Sequence, residues 1–239
     1  MKTIIHKSSD RGHANHGWLN ARHSFSFASW YDPNKINFGV LRVLNDDIIA
    51  PAMGFGQHPH DNMEIITLVQ EGALRHRDSM GNTSVILPGE VQVMSAGSGI
   101  THSEFNESKT DPLKLFQIWI FPHTQNVKPR YDQKSYATEQ RQNIWQTIIT
   151  PMDQPEADAI GIYQNAWFSQ TILDEIKPIE YSSRNKNNGA YVFVISGTLK
   201  INNQILESRD AMGITDYDSF FIEALGKAHI LVIDVPMVV

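Results

Sequence analysis

The sequence predicts an all-β protein with two β-sandwich or β-barrel domains in tandem, and three observations support this fold class. Short runs of alternating polar and apolar residues, separated by turn residues, follow one another through most of the 239-residue chain. No long window has the periodicity of an amphipathic helix. The two halves also resemble each other, because "ITLVQEGALRHRD" (66–78) and "VFVISGTLKINNQ" (192–204) share strand, glycine turn, leucine and strand. Such a repeat suggests duplicated barrels, with chance similarity among strand–turn–strand segments as the alternative.

The first half consists of predicted strands joined by tight turns. "NFGVLRVLNDDIIAP" alternates, and its Asn45-Asp46-Asp47 segment predicts a turn. Further turns are predicted at Gly72, at Met80-Gly81-Asn82 and at Pro88-Gly89. "LKLFQIWIFP" is another alternating strand, which ends at Pro122.

A connector is predicted from about 122 to 156, where prolines and glutamines are frequent and apolar pairs are few. Within it, "DQKSYATEQRQNIWQTII" has room for one or two helical turns. The strand pattern then resumes in four segments, which are "AWFSQTILD", "AYVFVISGTLKINNQILESRDAMGI", "SFFIEAL" and "AHILVIDVP".

Composition and charge exclude several classes of function. The net charge of −6, with no run of lysine or arginine, argues against direct nucleic-acid binding. Since the chain has no cysteine, it offers neither a disulfide nor a thiolate ligand nor a cysteine nucleophile. The first residues lack the apolar core of a signal peptide, and no stretch approaches membrane-spanning length. We therefore expect a cytoplasmic protein that does not contact membranes, and we favour a monomer.

Two short motifs predict a metal site. In "GFGQHPHDNMEI" (54–65), His58 and His60 point to the same face of a strand because side chains alternate. In "SAGSGITHSEFN" (95–106), His102 and Glu104 repeat this spacing after a glycine-rich turn. Antiparallel neighbours would bring both pairs to one point. Three nitrogens and one carboxylate oxygen suit Fe(II), Mn, Ni, Co, Cu or Zn and leave positions open for water, substrate or dioxygen.

One His-x-His pair alone is weak evidence, because alternation on an exposed strand produces it readily. The second pair makes the metal site the preferred interpretation. Glu64 lies four residues after His60, so alternation would place it on the same face as the ligands. It would be either a fifth ligand or a hydrogen-bond acceptor that orients a ligating histidine, and we favour the second role. His76 is interpreted as a polar strand residue. The other histidines are interpreted as solvated or packed side chains, and they are His6, His13, His16, His23, His123 and His229.

These motifs, together with "DSMGN", "PGEVQVMSAG", "LFQIWIFP" and "RGHANHGWLNARHSFSFASWYDP", resemble the pirin family, a branch of the cupin superfamily. The resemblance covers essentially the whole chain and is nearest to bacterial pirin-like proteins described as quercetin 2,3-dioxygenases. It implies a bicupin, with a metal-binding N-terminal cupin domain at residues 1–130 and a C-terminal cupin domain without metal ligands at residues 131–239.

The resemblance also implies a ligand set of His58, His60, His102 and Glu104 around one divalent metal, with Fe(II) favoured over Ni, Mn, Co, Cu or Zn. The implied reaction is the cleavage of flavonols such as quercetin by dioxygen, with release of carbon monoxide. Glu104 would be the general base for the substrate's 3-hydroxyl. Residues adjacent to the ligands are candidates for the pocket walls, with core packing as the alternative, and they are Phe55, Met94, Ile100 and Phe105.

Two other functions are compatible with the same motifs. Eukaryotic pirins are described as iron-dependent transcriptional co-regulators, so a metal-binding regulatory protein without turnover is the main alternative. A different reaction of a small molecule at the same metal is the other, because fold does not fix function.

Overall fold

A computed structural model describes residues 1–174 and 177–238 of the chain. The described residues form β-strands together with two short 3₁₀ helices, Ser8–Asp10 and Thr138–Arg141. The strands of the first half are β1 (Lys2–His6), β2 (Gly12–Asn15), β3 (Leu19–His23), β4 (Leu41–Ile49), β5 (Gly54–His60), β6 (Glu64–Glu71), β7 (Leu74–Asp78), β8 (Thr83–Ile86), β9 (Glu90–Ser95), β10 (Ile100–Asn106), β11 (Leu113–Ile120) and β12 (Arg130–Ser135). Those of the second half are β13 (Gln146–Pro151), β14 (Ile160–Ile162), β15 (Trp167–Leu173), β16 (Ile179–Ser182), β17 (Asn188–Ser196), β18 (Leu199–Ile201), β19 (Gln204–Leu206), β20 (Ala211–Thr215), β21 (Ser219–Ala224) and β22 (Ala228–Pro236).

The strands form two domains of the same architecture, each with one seven-stranded and one four-stranded sheet. In the first, the sheets have the orders β12-β9-β6-β11-β4-β3-β2 and β5-β10-β7-β8. In the second, the orders are β1-β20-β17-β22-β15-β13-β14 and β16-β21-β18-β19. The position of each strand in one domain has a counterpart in the other, as expected for a duplication. The prediction of an all-β bicupin is confirmed.

The two large sheets pack against each other, and the small sheets lie outside them. One apolar cluster joins the facing large sheets, for example through the rings of Phe116 and Phe193, whose centroids are 5.2 Å apart. Separate clusters fill the space between each large sheet and its small partner. Central strands are therefore buried on both faces, which explains why "LKLFQIWI" of β11 carries so few charged residues.

The two halves exchange edge strands. β1 pairs with β20 of the second domain, and β12 pairs with β9 of the first. The sheets therefore cross the boundary expected at residue 130 in both directions. The division into residues 1–130 and 131–239 stays a prediction.

The turn predicted at Asn45-Asp46-Asp47 is wrong, because these residues lie in the middle of β4. They pair with β11 on one side and with β3 on the other. Pairing on both edges overrides the turn preference of asparagine and aspartate. Alternation then directs Asn45 and Asp47 into the first barrel, where both line a cavity, and Asp46 toward Arg11 and Arg209 at the domain interface.

The predicted connector is also more structured than expected, since it contains β12, the Thr138–Arg141 helix and β13. The expected helical turn is confirmed as that 3₁₀ helix. The other three predicted turns are confirmed as well: glycines at positions 72, 81 and 89 have φ values of 86°, 93° and 87° between successive strands. No helix in the described part of the chain has the length and apolarity needed to cross a membrane.

Candidate metal centre

Strands β5 and β10 bring the two sequence motifs together, as their spacing predicts. Their antiparallel register places His102 opposite His58, and Ile100 opposite His60. The ring centroids of His58 and His102 are 4.4 Å apart, and His60 lies 4.9 Å from each of the other two rings. Three imidazoles therefore meet on the inner face of the small sheet.

Glycines make this close approach possible. A Cβ atom at Gly54 would overlap the backbone carbonyl of Glu104 and lie 2.5 Å from the Cα atom of Phe105, so no side chain fits there. The register also shifts by one residue between the His58–His102 and Phe55–Glu104 pairs, which is a β-bulge in β5. Before β10, Gly99 has a φ of 129°, which favours glycine.

The histidines present free nitrogen lone pairs. The Nδ1–H of His58 donates to the carbonyl oxygen of Gly56 at 2.7 Å, so its Nε2 carries a lone pair. His102 is buried, and neither of its ring nitrogens has a hydrogen-bond partner among the described residues. Burial, reinforced by the neighbouring histidines, lowers the pKa of His102 to about 2, and burial lowers that of His60 to about 4. Both rings are neutral at pH 7 and can act as ligands.

Glu104 is buried beside this group. Its carboxylate accepts hydrogen bonds from Gln117 Nε2 at 3.0 and 3.2 Å, and from the Thr67 hydroxyl at 3.5 Å. Burial raises the pKa of Glu104 to about 7, against which the hydrogen bonds from Gln117 and Thr67 act. A carboxylate without a nearby cation is costly here, so a positive charge at this point would stabilise its ionised form.

The structure adds a fourth histidine that the sequence interpretation missed. His76, on β7, is fully buried opposite Glu104, and its Nε2 lies 3.3 Å from Asp78 Oδ2. Its interpretation as an ordinary polar strand residue is wrong. The available signal was alternation in "LRHRD", where apolar Leu74 marks the inward face that His76 and Asp78 share.

Two sets of potential ligands result, and they share His102. Candidate ligand atoms of His58, His60 and His102 lie within 4.8 Å of one another, and so do those of His76, His102 and Glu104. The four residues predicted as ligands thus lie in one continuous cluster, with Glu104 connected to the other two histidines through His102.

This cluster suits a divalent metal ion. An ion would provide the missing partner for one of the two unpaired His102 nitrogens and would offset the charge of the buried Glu104 carboxylate. Imidazole and carboxylate donors suit first-row transition metals, and without cysteine the soft sites that need thiolate are excluded.

Glu64 lies elsewhere, contrary to the expectation that it supports a ligand. Its carboxylate accepts a 2.7 Å hydrogen bond from the Ser95 hydroxyl, and it is near Arg130 at the domain interface. Simple alternation from His60 fails because β5 ends there and Asn62 turns the chain, with a φ of 44°, before β6 begins. Burial raises the pKa of Glu64 to about 7 as well.

A cavity of about 180 Å³ opens directly beside the cluster. It is lined by Leu19, Ala21, His23, Phe27, Asn45, Asp47, Phe55, His58, His60, Glu104, Gln117 and Trp119. Among the expected wall residues, Phe55 is in place. Met94 and Ile100 instead pack into a small apolar core, and Phe105 lies on the outer face beneath the Arg75 guanidinium.

The equivalent space in the second domain is filled. Apolar and aromatic side chains such as Tyr181, Phe220 and Ile222 pack together between its two sheets. Among the residues that the structure describes in that domain, no cluster of potential ligands like the first is present.

Tandem barrels, the first of which holds an inward cluster of histidine and glutamate, define a bicupin of the metal-binding type. Comparison with known proteins gives the family. A model described as Pirin matches residues 5–120, and a model described as Quercetinase C-terminal cupin domain matches residues 132–235. The chain belongs to the pirin family.

Individual relatives match over almost their whole length. The protein named quercetin 2,3-dioxygenase in Escherichia coli K12 is 38% identical over 98% of this chain and 99% of its own. A pirin-like protein of Caulobacter vibrioides is 41% identical over 93% of this chain and 95% of its own. The crystal structure of bacterial pirin YhhW from E. coli, in complex with nickel(II), matches with a TM-score of 0.93 and 38% identity, covering 99% of this chain and 100% of that one.

Proposed function

We propose that this protein is a metal-dependent dioxygenase that cleaves flavonols such as quercetin with release of carbon monoxide. The observation that carries the proposal is the cavity walled by Phe27, Phe55 and Trp119, which opens directly onto the ligand cluster. Apolar and aromatic walls with a few polar groups are typical of small-molecule sites. The names of the relatives, reported above, support the same chemistry.

His58, His60, His102 and Glu104 would hold one divalent metal, for which Fe(II) is our first choice and Ni(II), found in the related pirin YhhW, the second. When bound, such a metal acts as a Lewis acid toward a substrate hydroxyl and provides a centre for dioxygen chemistry. The rings of His60 and His102 are neutral at pH 7, so these two residues bind the metal without first losing a proton.

Glu104 is suited to accept the proton of the flavonol's 3-hydroxyl at a carboxylate oxygen. A metal ion beside Glu104 would keep this buried carboxylate ionised at neutral pH, which is the form that accepts a proton. Gln117 holds the carboxylate by donating to both of its oxygens, which fixes the direction from which the proton arrives.

The cavity would position the substrate and keep water away. Its volume of about 180 Å³ is below the roughly 300–1,000 Å³ usual for small-molecule sites. A flavonol would therefore insert only part of its ring system and leave the remainder at the mouth, where His58 and His60 are partly exposed.

Reconstitution tests the proposal directly. The protein is loaded anaerobically with Fe(II), Ni(II), Mn(II), Co(II) or Cu(II), quercetin and air are added, and loss of flavonol absorbance and formation of carbon monoxide are followed. We expect turnover with at least one metal, which His102→Ala abolishes and the exposed-site control His13→Ala preserves. Absence of carbon monoxide with every metal would contradict the dioxygenase while leaving the metal site intact.

A further inference from the structure

Polar residues from three neighbouring strands form one wall of the cavity. His23 on β3 lies opposite Asn45 on β4, Asn45 lies opposite Gln117 on β11, and Asp47 lies opposite Ala21 on β3. All of these side chains share the inner face of the large sheet, and all of them line the cavity. None of His23, Asn45 and Asp47 belongs to the ligand cluster.

Asp47 stands out because its side chain is buried without a partner. It is 4% exposed, and no described residue donates a hydrogen bond to its Oδ1 atom. The neighbouring Asp46 differs in this respect. Its side chain points to the opposite face of the sheet, where it pairs with the guanidinium groups of Arg11 and Arg209. Buried polar groups in folded proteins nearly always have a partner, so an unpaired carboxyl in a cavity wall indicates that a ligand provides one.

A second unpaired group lies in the same wall. The indole Nε1–H of Trp119 is buried and has no acceptor among the described residues. Its ring packs edge-on against His60 and Phe27, with centroid distances of 5.0 and 5.3 Å. The wall therefore has two separate unpaired groups, because Asp47 lies opposite Leu115, four residues along β11 from Trp119, and Trp119 lies next to the ligand histidine His60.

We propose that Asp47 forms a subsite that binds a hydroxyl group on the body of an aromatic substrate, while the hydroxyl that reacts is at the ligand cluster. The subsite rests on the proposed dioxygenase function and narrows its substrates to polyhydroxylated aromatic compounds. His23 and Asn45, joined by a 2.9 Å hydrogen bond between Nδ1 and Oδ1, keep the neighbouring part of the wall in place.

The chemistry of the wall favours a phenol over a charged ligand. A phenolic hydroxyl can both donate and accept a hydrogen bond, so it pairs with the Asp47 carboxyl in either protonation state of that carboxyl. Burial, together with the nearby carboxylates of Asp46 and Glu104, raises the pKa of Asp47 to about 8. A neutral carboxyl has no charge to attract a cation, and the other wall residues, Leu19, Ala21 and Phe55, are apolar.

The test compares two flavonols that differ only in the hydroxyls of interest. Quercetin carries hydroxyls on both outer rings, whereas 3-hydroxyflavone has only the reacting one. Both are titrated anaerobically into the nickel(II)-loaded protein, with tryptophan fluorescence as the readout of Kd. The variants are Asp47→Ala and Asp47→Asn, with Asp153→Ala in an exposed loop as the matched control.

We expect the wild type to bind quercetin roughly tenfold or more tightly than 3-hydroxyflavone, because a site with unpaired polar groups rejects the analogue that lacks the hydroxyl. Asp47→Ala should reduce this preference to about threefold or less while leaving the Kd of 3-hydroxyflavone unchanged. Asp47→Asn, which still donates and accepts, should retain part of the preference. Circular dichroism and thermal melting confirm that each variant is folded.

Three results would overturn the subsite: an unchanged preference in Asp47→Ala, equal weakening of both ligands, or no binding of either flavonol by the wild type. Turnover in air is measured on the same variants loaded with each of the five metals named above, so the two proposals fail separately. Turnover with an unchanged preference in Asp47→Ala refutes the subsite alone. A preference that depends on Asp47, without turnover under any metal, refutes the dioxygenase alone.

Discussion

Two buried glutamates of the first domain illustrate how position decides the role of a side chain. Glu104 and Glu64 both have a pKa raised to about 7 by burial. Glu104 lies beside His76 and His102 inside the barrel, where a cation would stabilise its ionised form. Glu64 faces the domain interface, where Ser95 and Arg130 only partly offset the cost of burial. A raised pKa therefore does not identify a catalytic group unless the geometry does so as well.

Replacing Glu64 by glutamine tests this distinction through the pH dependence of stability. The pKa of Glu64 is raised from 4.5 to about 7 on folding, so the native state binds the extra proton between these values. The wild type should lose stability relative to Glu64→Gln as pH rises through this window, with the full difference, on the order of 3 kcal/mol, reached above pH 7. The free energy of unfolding in urea at pH 5 and pH 8 measures it.

Glu71, at the exposed end of the same strand, gives the control Glu71→Gln. That variant should unfold like the wild type to within about 1 kcal/mol, because Glu71 is exposed and its ion pair with Lys114 lies in solvent. A difference for Glu64→Gln that is the same at both pH values would contradict the assignment of Glu64 as a buried, proton-binding interface residue.

At the scale of elements, the alternation of polar and apolar residues predicts the strands that have one face inside the barrel. It does not predict features that depend on which strands pair with one another. Alternation and the glycine turn were sufficient for β10, and the expected meeting of His58, His60 and His102 follows from its pairing with β5. Alternation did not reveal that β4 continues through three turn-forming residues, because this depends on neighbours on both sides. For the same reason the sequence pattern assigns Asp47 to a turn, although its side chain lines the cavity.

Gly54 provides a test of how far the site depends on the close approach of β5 and β10. Alanine there would overlap the backbone of Glu104, so Gly54→Ala must push the strands apart and separate the ligands on β5 from those on β10. We expect its affinity for nickel(II), measured by calorimetric titration, to fall roughly tenfold or more.

Gly56, two residues along the same strand, is the matched control. A Cβ atom at this position meets nothing within 4 Å, so Gly56→Ala should bind nickel(II) as the wild type does. Equal affinities in the two alanine variants would show that the strand spacing does not determine the ligand geometry.

At the scale of the whole molecule, two barrels with equivalent strand orders have different interiors. The first keeps a polar interior with unpaired nitrogens and a cavity, whereas apolar and aromatic side chains fill the second. The sequence revealed this division, because the motifs occur once. It did not reveal the exchange of β1 and β12 between domains, since those pairings join residues far apart in the chain.

The interface between the domains shows how the second domain contributes to the site of the first. The large sheets bury one common apolar cluster. Across the same interface, the Arg209 Nε–H of the second domain donates a 2.9 Å hydrogen bond to Asp46 Oδ2. The strands that carry the cavity wall, β4 and β11, therefore contact the second domain through their opposite faces. In this way the second domain supports the wall on which Asn45, Asp47 and Gln117 lie.

The most direct test of this account is the metal content of purified protein after loading with a divalent metal and removal of the excess. We predict one ion per chain in the wild type and in His13→Ala, and little or none in His58→Ala, His102→Ala and Glu104→Ala, each confirmed to be folded. Equal metal content in the wild type and the ligand variants would contradict the central claim that these side chains hold the ion.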